Sequence, residues 1–217
     1  MIIHDFSNKQ SLLNQYIYEL RTVAIQKDRM RFRKNIERVG EILGYEMSKM
    51  LAYHDVQTST PLGSKSMVLP QQDLVLCSVL RAGLPLHQGL LNRFDTADNA
   101  FISAYRTHPE QGNDFEVVVR YFAAPDLSHK TLVLTDPMLA TGKTLENVYQ
   151  ALSDHGTPTQ IHIIAVIGSR QGVDYINRIF PEDTHLWIAA VDEELNNKGY
   201  IVPGLGDAGD LCYGLKL

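Results

Sequence analysis

Five short apolar runs in the last two-thirds of the chain constrain its fold more than any other feature: Leu74–Leu80 (LVLCSVL), Phe101–Tyr105 (FISAY), Thr131–Thr135 (TLVLT), Ile161–Ile167 (IHIIAVI) and Leu186–Val191 (LWIAAV). Most are continuous rather than alternating in hydrophobicity, the pattern of strands covered on both faces. Such strands belong in a mainly parallel sheet, because the helices that join parallel strands pack on both of its faces. Gly-containing turns and helical stretches separate the runs. The expected architecture is α/β, a mainly parallel sheet flanked by helices.

Ahead of that region, apolar residues fall at helical intervals: Leu12, Leu13, Tyr16, Ile17 and Leu20, then Phe32, Ile36, Val39, Ile42 and Leu43. This spacing predicts two helices over about residues 8–52. Between them Lys27, Arg29, Arg31, Arg33 and Lys34 spread around a helical surface, which suits a solvated or subunit-contact face better than an anion site. Phe115–Phe122 (FEVVVRYF) is rich in β-branched and aromatic residues but flanked by polar ones. It is predicted to join Thr58–Leu69 in a protruding β-hairpin, about residues 56–70 and 113–123. A chain of 217 residues with 44% hydrophobic content buries a substantial core, and one domain over residues 1–217 accommodates every element.

A formal net charge of -5 gives no global attraction for nucleic acid, so a small-molecule substrate is the expectation. Cys77 and Cys212 are too few and too far apart for a disulfide framework or a C-x-x-C metal site, which points to reduced thiols in the cytoplasm. No stretch approaches the ~20 apolar residues of a membrane span, and the N-terminus lacks a basic region followed by a long apolar run. Neither membrane insertion nor export is expected.

The chemistry concentrates at TDPMLATGKT, Thr135 to Thr144. A buried strand ends in the carboxylate of Asp136, residues Pro137 to Lys143 make a turn, and TLENVYQAL, residues 144–152, has helical periodicity. The unpaired N–H groups and positive dipole end of a helix start form a ready anion site. Gly142 lets a phosphate approach the backbone, Thr141 and Thr144 offer hydroxyls, and Thr144 is also a candidate N-cap. The triphosphatase loop G-x-x-x-x-G-K-[ST] is excluded, because its first glycine would stand where this chain has Pro137.

Arg81, in the turn Leu80–Leu84, and Arg106, closing the next strand, occupy adjacent strand ends of the same sheet. Ligands gather outside such ends, and arginine presents a fork of donors suited to diphosphate. Near the C-terminus, GYIVPGLGDAGD at residues 199–210 is too glycine-rich for a regular helix or strand and reads as a tightly folded loop.

With these motifs the chain resembles the uracil phosphoribosyltransferase family. The Asp-Pro-Met-Leu-Ala-Thr-Gly form at residues 136–142 and the segment 199–210 carry the resemblance, which also takes in the basic helix and Asp192–Glu194. The family usually has Gly-Ser or Gly-Thr where this chain has Lys143-Thr144, and the likeness is weakest at residues 107–126 and at the C-terminal LCYGLKL. The resemblance implies transfer of ribose-5-phosphate from 5-phosphoribosyl-1-diphosphate (PRPP) to N1 of uracil, yielding uridine monophosphate and diphosphate in pyrimidine salvage.

It implies, further, that PRPP is bound by Arg81, Arg106, Asp136, Pro137, Met138, Leu139, Ala140, Thr141, Gly142, Lys143, Thr144 and Asp207. Uracil would be held by Ile201, Gly206, Asp207 and Ala208, with Asp136, Asp207 and Arg106 as the catalytic set. Mg²⁺ is the implied cofactor, carried by substrate and water rather than by a cage of protein side chains. A homodimer or higher homo-oligomer is implied, with GTP as a candidate activator. Two alternatives stand: a regulatory RNA-binding protein on the same fold, which needs a concentrated basic face, and a transferase for another base.

Overall fold

The computed structural model describes the backbone of residues 1–107 and 116–216 and the side chains of residues 1–103 and 121–216. The chain runs through Ile2–Asp5 (β1), Leu12–Arg21 (α1), Val23–Gln26 (α2), Arg29–Ser48 (α3), Tyr53–Thr60 (β2), Gly63–Pro70 (β3), Leu74–Leu80 (β4), Gly83–Leu91 (α4), Asp98–Thr107 (β5) and Glu116–Ala123 (β6). It continues through Thr131–Thr135 (β7), Met138–Leu139 (β8), Lys143–Leu152 (α5), Gln160–Ser169 (β9), Arg170–Ile179 (α6), His185–Asp192 (β10), Glu194–Leu195 (β11), Ile201–Val202 (β12) and Ala208–Tyr213 (α7).

The main sheet has eight strands, in the order β1-β10-β9-β7-β4-β5-β6 with β8 pairing beside β9. All pairings are parallel except that of β6 with β5. The continuous apolar runs are explained by the period-two geometry of a strand, whose side chains alternate between faces. On one face Leu74, Leu76, Val133, Ile164, Val166 and Trp187 pack with the N-terminal helices and α4; on the other Val75, Cys77, Leu132, Leu134, Ile163 and Ile188 pack with α5 and α6. The parallel α/β expectation is met.

The N-terminal helices are placed by their caps as well as by their apolar faces. Ser11 Oγ accepts from the Leu13 N–H and Asn14 Oδ1 accepts from the Ser11 N–H, closing the start of α1. Asp28 Oδ1 accepts from the Arg31 N–H at the start of α3. From there Phe32, Ile36, Val39, Leu43 and Met47 recur at helical spacing and are all buried.

The expected hairpin is present but its composition differs. β2 and β3 pair with each other alone, with Thr60 opposite Gly63, and form a two-stranded arm. Glu116–Ala123 does not join it; β6 runs antiparallel along β5 at the edge of the main sheet. Strand propensity in FEVVVRYF was legible, whereas the choice of partner depends on the chain reversing after β5. Residues 113–115 of the expected hairpin lie outside the described residues. Two further elements differ from the sequence reading: β1 adds a parallel edge strand beside β10, and Ala208–Tyr213 is helical within a segment expected to be loop. No helix among the described residues is long and apolar enough to cross a membrane.

Candidate functional site

The order of the sheet dictates where a ligand can sit. From β4 the chain moves outward to β5 and β6, then returns to β7 on the other side of β4. That reversal leaves a crevice outside the carboxyl ends of β4 and β7, the place where open α/β sheets bind ligands. Arg81 follows β4 and Asp136 follows β7, so the two motifs flank the crevice.

The phosphate loop is braced from below. The Pro137 carbonyl accepts from the N–H groups of Val166 and Ile167, and β8 pairs with β9. Asp136 Oδ1 accepts from the Met138 N–H at 3.1 Å. Ser169 Oγ donates to the Ala140 carbonyl at 2.6 Å while accepting from the Gly172 N–H at 2.8 Å, which ties the loop to the start of α6. Gly142, with φ of 80°, is the N-cap of α5, so the helix begins at Lys143 and not after an N-capping Thr144. The left-handed backbone at this position and the closeness of Tyr175 and Ile176 leave room for glycine alone. Asp136, Met138, Thr141, Gly142 and Thr144 line a small hollow over the helix start; Lys143 points to solvent outside it.

The Arg81 turn meets both the phosphate loop and the C-terminal segment. Gly83 packs so close to β7 that a Cβ there would stand 3.2 Å from the Thr135 carbonyl oxygen. Arg81 Nη2 donates to Asp210 Oδ1 at 2.7 Å and Nη1 donates to the Gly214 carbonyl at 3.1 Å. Asp207 caps α7, its Oδ1 accepting from the Asp210 N–H at 2.9 Å, and Lys216 Nζ lies 3.9 Å from its Oδ2. Arg81 and Asp207 are therefore brought together, with Asp210 between them. Asp210 had no assigned role in the sequence reading; its only mark was its place as the second acid of a glycine-rich segment.

In the same segment Ile201 and Ala208 are buried, Gly206 is exposed, and β12 pairs with β11. Between the two buried side chains, Gly204 and Leu205 are buried as well and Gly206 is the exposed glycine of the loop. Arg106 sits on β5 opposite Val117, and its side chain lies outside the described residues.

Nucleophilic catalysis by a thiol has no support, since burial pushes both Cys77 and Cys212 up to about 12. The basic stretch leading into and opening α3 is mostly exposed, but several of its cations are paired. Arg31 donates twice to Glu19 at 2.8 Å, Lys34 pairs with Glu37, and Arg33 donates to the Cys212 carbonyl. Hydrogen bonds from Arg31, then Asn35 and Gln15, hold the Glu19 carboxyl down at about 2. Carboxylate partners thus offset part of the positive charge that a concentrated RNA-binding face would carry. A larger groove of about 500 Å³ opens between α3, α4 and β5, lined by Arg33, Leu84, His87, Phe101 and Tyr213. It includes neither the start of α5 nor residues 201–208, and it lacks a helix N-terminus furnished with hydroxyls.

Comparison with known proteins agrees with this geometry. The family model described as uracil phosphoribosyltransferase matches residues 7–214. A uracil phosphoribosyltransferase of Porphyromonas gingivalis is 50% identical over 216 residues, covering 100% of this chain and 99% of that protein. One from Methanothermobacter thermautotrophicus is 40% identical over 185 residues, covering 84% of this chain and 83% of the relative. A solved structure of an Aquifex aeolicus protein superposes with a TM-score of 0.87 at 30% identity, each chain covered in full.

Proposed function

Because this chain belongs to the uracil phosphoribosyltransferase family, we infer that its crevice binds PRPP across the phosphate loop and the Arg81 turn, and uracil against residues 201–208. The enzyme is a pentosyltransferase, joining uracil to ribose-5-phosphate with release of diphosphate. One observation carries the assignment of the site: the Arg81 turn packs against the end of β7 and is ion-paired to the helix that Asp207 caps. Donor and acceptor subsites therefore adjoin at one crevice.

In this reading the 5-phosphate lies over the start of α5, held by the backbone N–H groups of residues 138–144 and the hydroxyls of Thr141 and Thr144. Arg81 and Arg106 bind the diphosphate. Arg81 must exchange Asp210 for the incoming phosphate oxygens, and guanidinium pairs with phosphate as readily as with carboxylate. The bond broken joins C1 of ribose to an oxygen of diphosphate, so positive charge grows on the sugar and negative charge on the leaving group. Fixed charges and positioning do more for such a step than a nucleophile can. Asp136 and Asp207 face the ribose, and Asp207 is the candidate to accept the uracil N1 proton.

A divalent cation fits this site. The available donors are hard carboxylate oxygens, and the Lys216 ammonium already stands 3.9 Å from Asp207 Oδ2, so the position accepts positive charge. Mg²⁺ bound with the donor would neutralise diphosphate charge, and Asp136 and Asp207 are the carboxylates that would help hold it.

Backbone readout suits uracil, which presents O2, N3–H and O4 as acceptor, donor and acceptor. Cytosine replaces O4 with an amine, leaving a buried donor facing a donor, a mismatch worth ~10⁴ or more in selectivity. Incubating the protein with PRPP, Mg²⁺ and each nucleobase tests the reading: uridine monophosphate should form from uracil, with cytosine and purines inert. No uridine monophosphate at any donor level overturns it. The same assay with added GTP tests activation. A homo-oligomer is part of the proposal, supported by the exposed Leu62, Met67, Val68 and Leu69 on the β2–β3 arm. Cytoplasmic localisation is proposed from the two unpaired, buried cysteines.

A further inference from the structure

We propose that Arg21, Gln26 and Asp192 are positioning residues that hold the pyrimidine-reading loop in register for the base. The proposal rests on the assignment of residues 201–208 to uracil. Arg21 is the last residue of α1 and Asp192 the last of β10. Their ion pair is bidentate, Nη1 to Oδ2 at 2.8 Å and Nη2 to Oδ1 at 2.9 Å. Such a pair could serve only to dock a helix on a sheet. Here both partners also spend a hydrogen bond on the same residue of the loop: Arg21 Nη1 donates to the Gly204 carbonyl at 3.0 Å, and the Gly204 N–H donates to Asp192 Oδ2 at 3.1 Å.

The next residue is held as well. Gln26, closing α2, donates from Nε2 to the Leu205 carbonyl at 3.0 Å and to the Leu20 carbonyl at 2.7 Å. Gly204 and Leu205 stand immediately before Gly206, so three side chains from outside the loop fix the backbone that leads into the uracil contacts, whereas Asp207 is held separately by its cap on α7. The Arg21 and Asp192 side chains are 23% and 10% exposed, which keeps water from competing for these bonds. A site that reads a base through N–H and C=O groups depends on where those groups point, and the direction of a backbone group is set by its anchors. None of the three side chains lines the hollow over α5. Loosening them should weaken uracil recognition and leave the donor subsite intact.

The test is steady-state kinetics with thermal melting on the full-length chain carrying Asp192→Ala, Asp192→Asn, Gln26→Ala or Gly206→Ala. Asp192→Ala removes both the ion pair and the acceptor for Gly204, and the KM for uracil should rise roughly ten- to a hundredfold, as small misplacements at a site do. Asp192→Asn keeps an acceptor and should recover part of the loss. Gln26→Ala should raise the same constant by a smaller factor, and the KM for PRPP should stay within about twofold in all three, because only one substrate's binding is removed. Equal rises in both constants, or an unchanged uracil KM, overturn the proposal. If Asp192→Ala does not fold, Gln26→Ala carries the test, since it leaves the ion pair in place. Gly206→Ala alters the loop directly: a raised uracil KM there, with none in the Asp192 and Gln26 variants, refutes the anchors and leaves the loop assignment standing. No change in any variant refutes both.

Discussion

Replacement of Asp207 separates chemistry from folding, because this carboxylate caps a helix and is also the residue proposed to act in the reaction. Its Oδ1 caps α7 by accepting from the Asp210 N–H at 2.9 Å. Asparagine caps a helix about as well as aspartate, so Asp207→Asn should change stability by no more than ~0.5 kcal/mol. Asp207→Ala removes the cap and should cost about 1 kcal/mol, which for a domain of this size lowers Tm by roughly 2–4 °C. The contact with Lys216 adds little, since it spans 3.9 Å to a side chain that is 67% exposed.

Both variants lose the negative charge proposed to face the ribose and to take the N1 proton. Removing a positioned proton acceptor or a charge aimed at the transition state typically costs a factor of ~10²–10⁴ in rate. The expectation is a kcat at least about a hundredfold lower, near 2.7 kcal/mol, in Asp207→Asn and Asp207→Ala alike, with melting curves separated only by the cap. Uridine monophosphate formation and differential scanning fluorimetry on the same preparations measure both quantities. A near-normal kcat in Asp207→Asn removes the residue from the reaction and leaves it a capping role. Melting of Asp207→Asn far below the wild type would refute the equivalence of the caps instead.

At the phosphate loop, Gly142→Ala places a Cβ 2.8 Å from Tyr175 Cδ1 and 2.9 Å from Ile176 Cγ2 at a φ of 80°. The left-handed conformation alone costs about 1–2 kcal/mol, so the KM for PRPP should rise at least about tenfold, more than that for uracil, in steady-state assays; equal effects would refute the assignment of the loop to the donor. In the helical core, Phe32→Ala empties a site that is 1% exposed and should cost roughly 3–5 kcal/mol in urea unfolding. His162, fully buried, is held down at about 3 first by burial and then by His185 and His4. The unfolded chain binds a proton there from about pH 6.5 downward while the folded chain does not, so stability is fully present above that pH and falls as pH drops toward 3. The slope is at most about 1.4 kcal/mol per pH unit. His162→Gln, which keeps an acceptor for the Trp187 indole N–H, should flatten the fall in stability, and a curve parallel to the wild type would refute the cause.

What could be read from the sequence was what is local. The buried strands announced themselves because both faces of a parallel strand are apolar, and the helix start after Asp136 because a strand, a turn and a helix follow one another within a few residues. β1 is short, its Ile2 and Ile3 are 47% and 41% exposed, and its pairing with β10 joins residues at opposite ends of the chain. Nothing in IIHD distinguishes such an edge from a loose terminus. β6 is legible as a strand but its partner is not, since propensity describes a residue's preference for extended backbone and carries no information on which neighbour completes the ladder. α7 was obscured by its glycines, although Asp207 in front of it and Gly214 behind it are an N-cap and a C-terminal stop that a reading of caps alone would have caught.

The site divides along the same line. The phosphate hollow is made from one continuous segment, so its chemistry could be inferred residue by residue. The contacts that hold the C-terminal segment span 129 residues, in Arg81 with Asp210, and 171, in Arg21 with Asp192. In the sequence Arg21 is an ordinary cation in the last turn of a helix, where the dipole favours one without any ligand. Asp192 had a better claim: an acid at the end of a buried parallel strand stands at the edge where α/β sheets collect their ligands. Asp136 has the same position on β7, and Arg81 follows the end of β4. Charged residues at the carboxyl ends of β4, β7 and β10 thus stand along one edge of the sheet, where the proposed roles are to hold substrate for some and to hold the C-terminal loop for others. Their hydrogen bonds differ accordingly: Asp192 accepts from the Gly204 N–H of the C-terminal loop, and Asp136 from the Met138 N–H of its own loop.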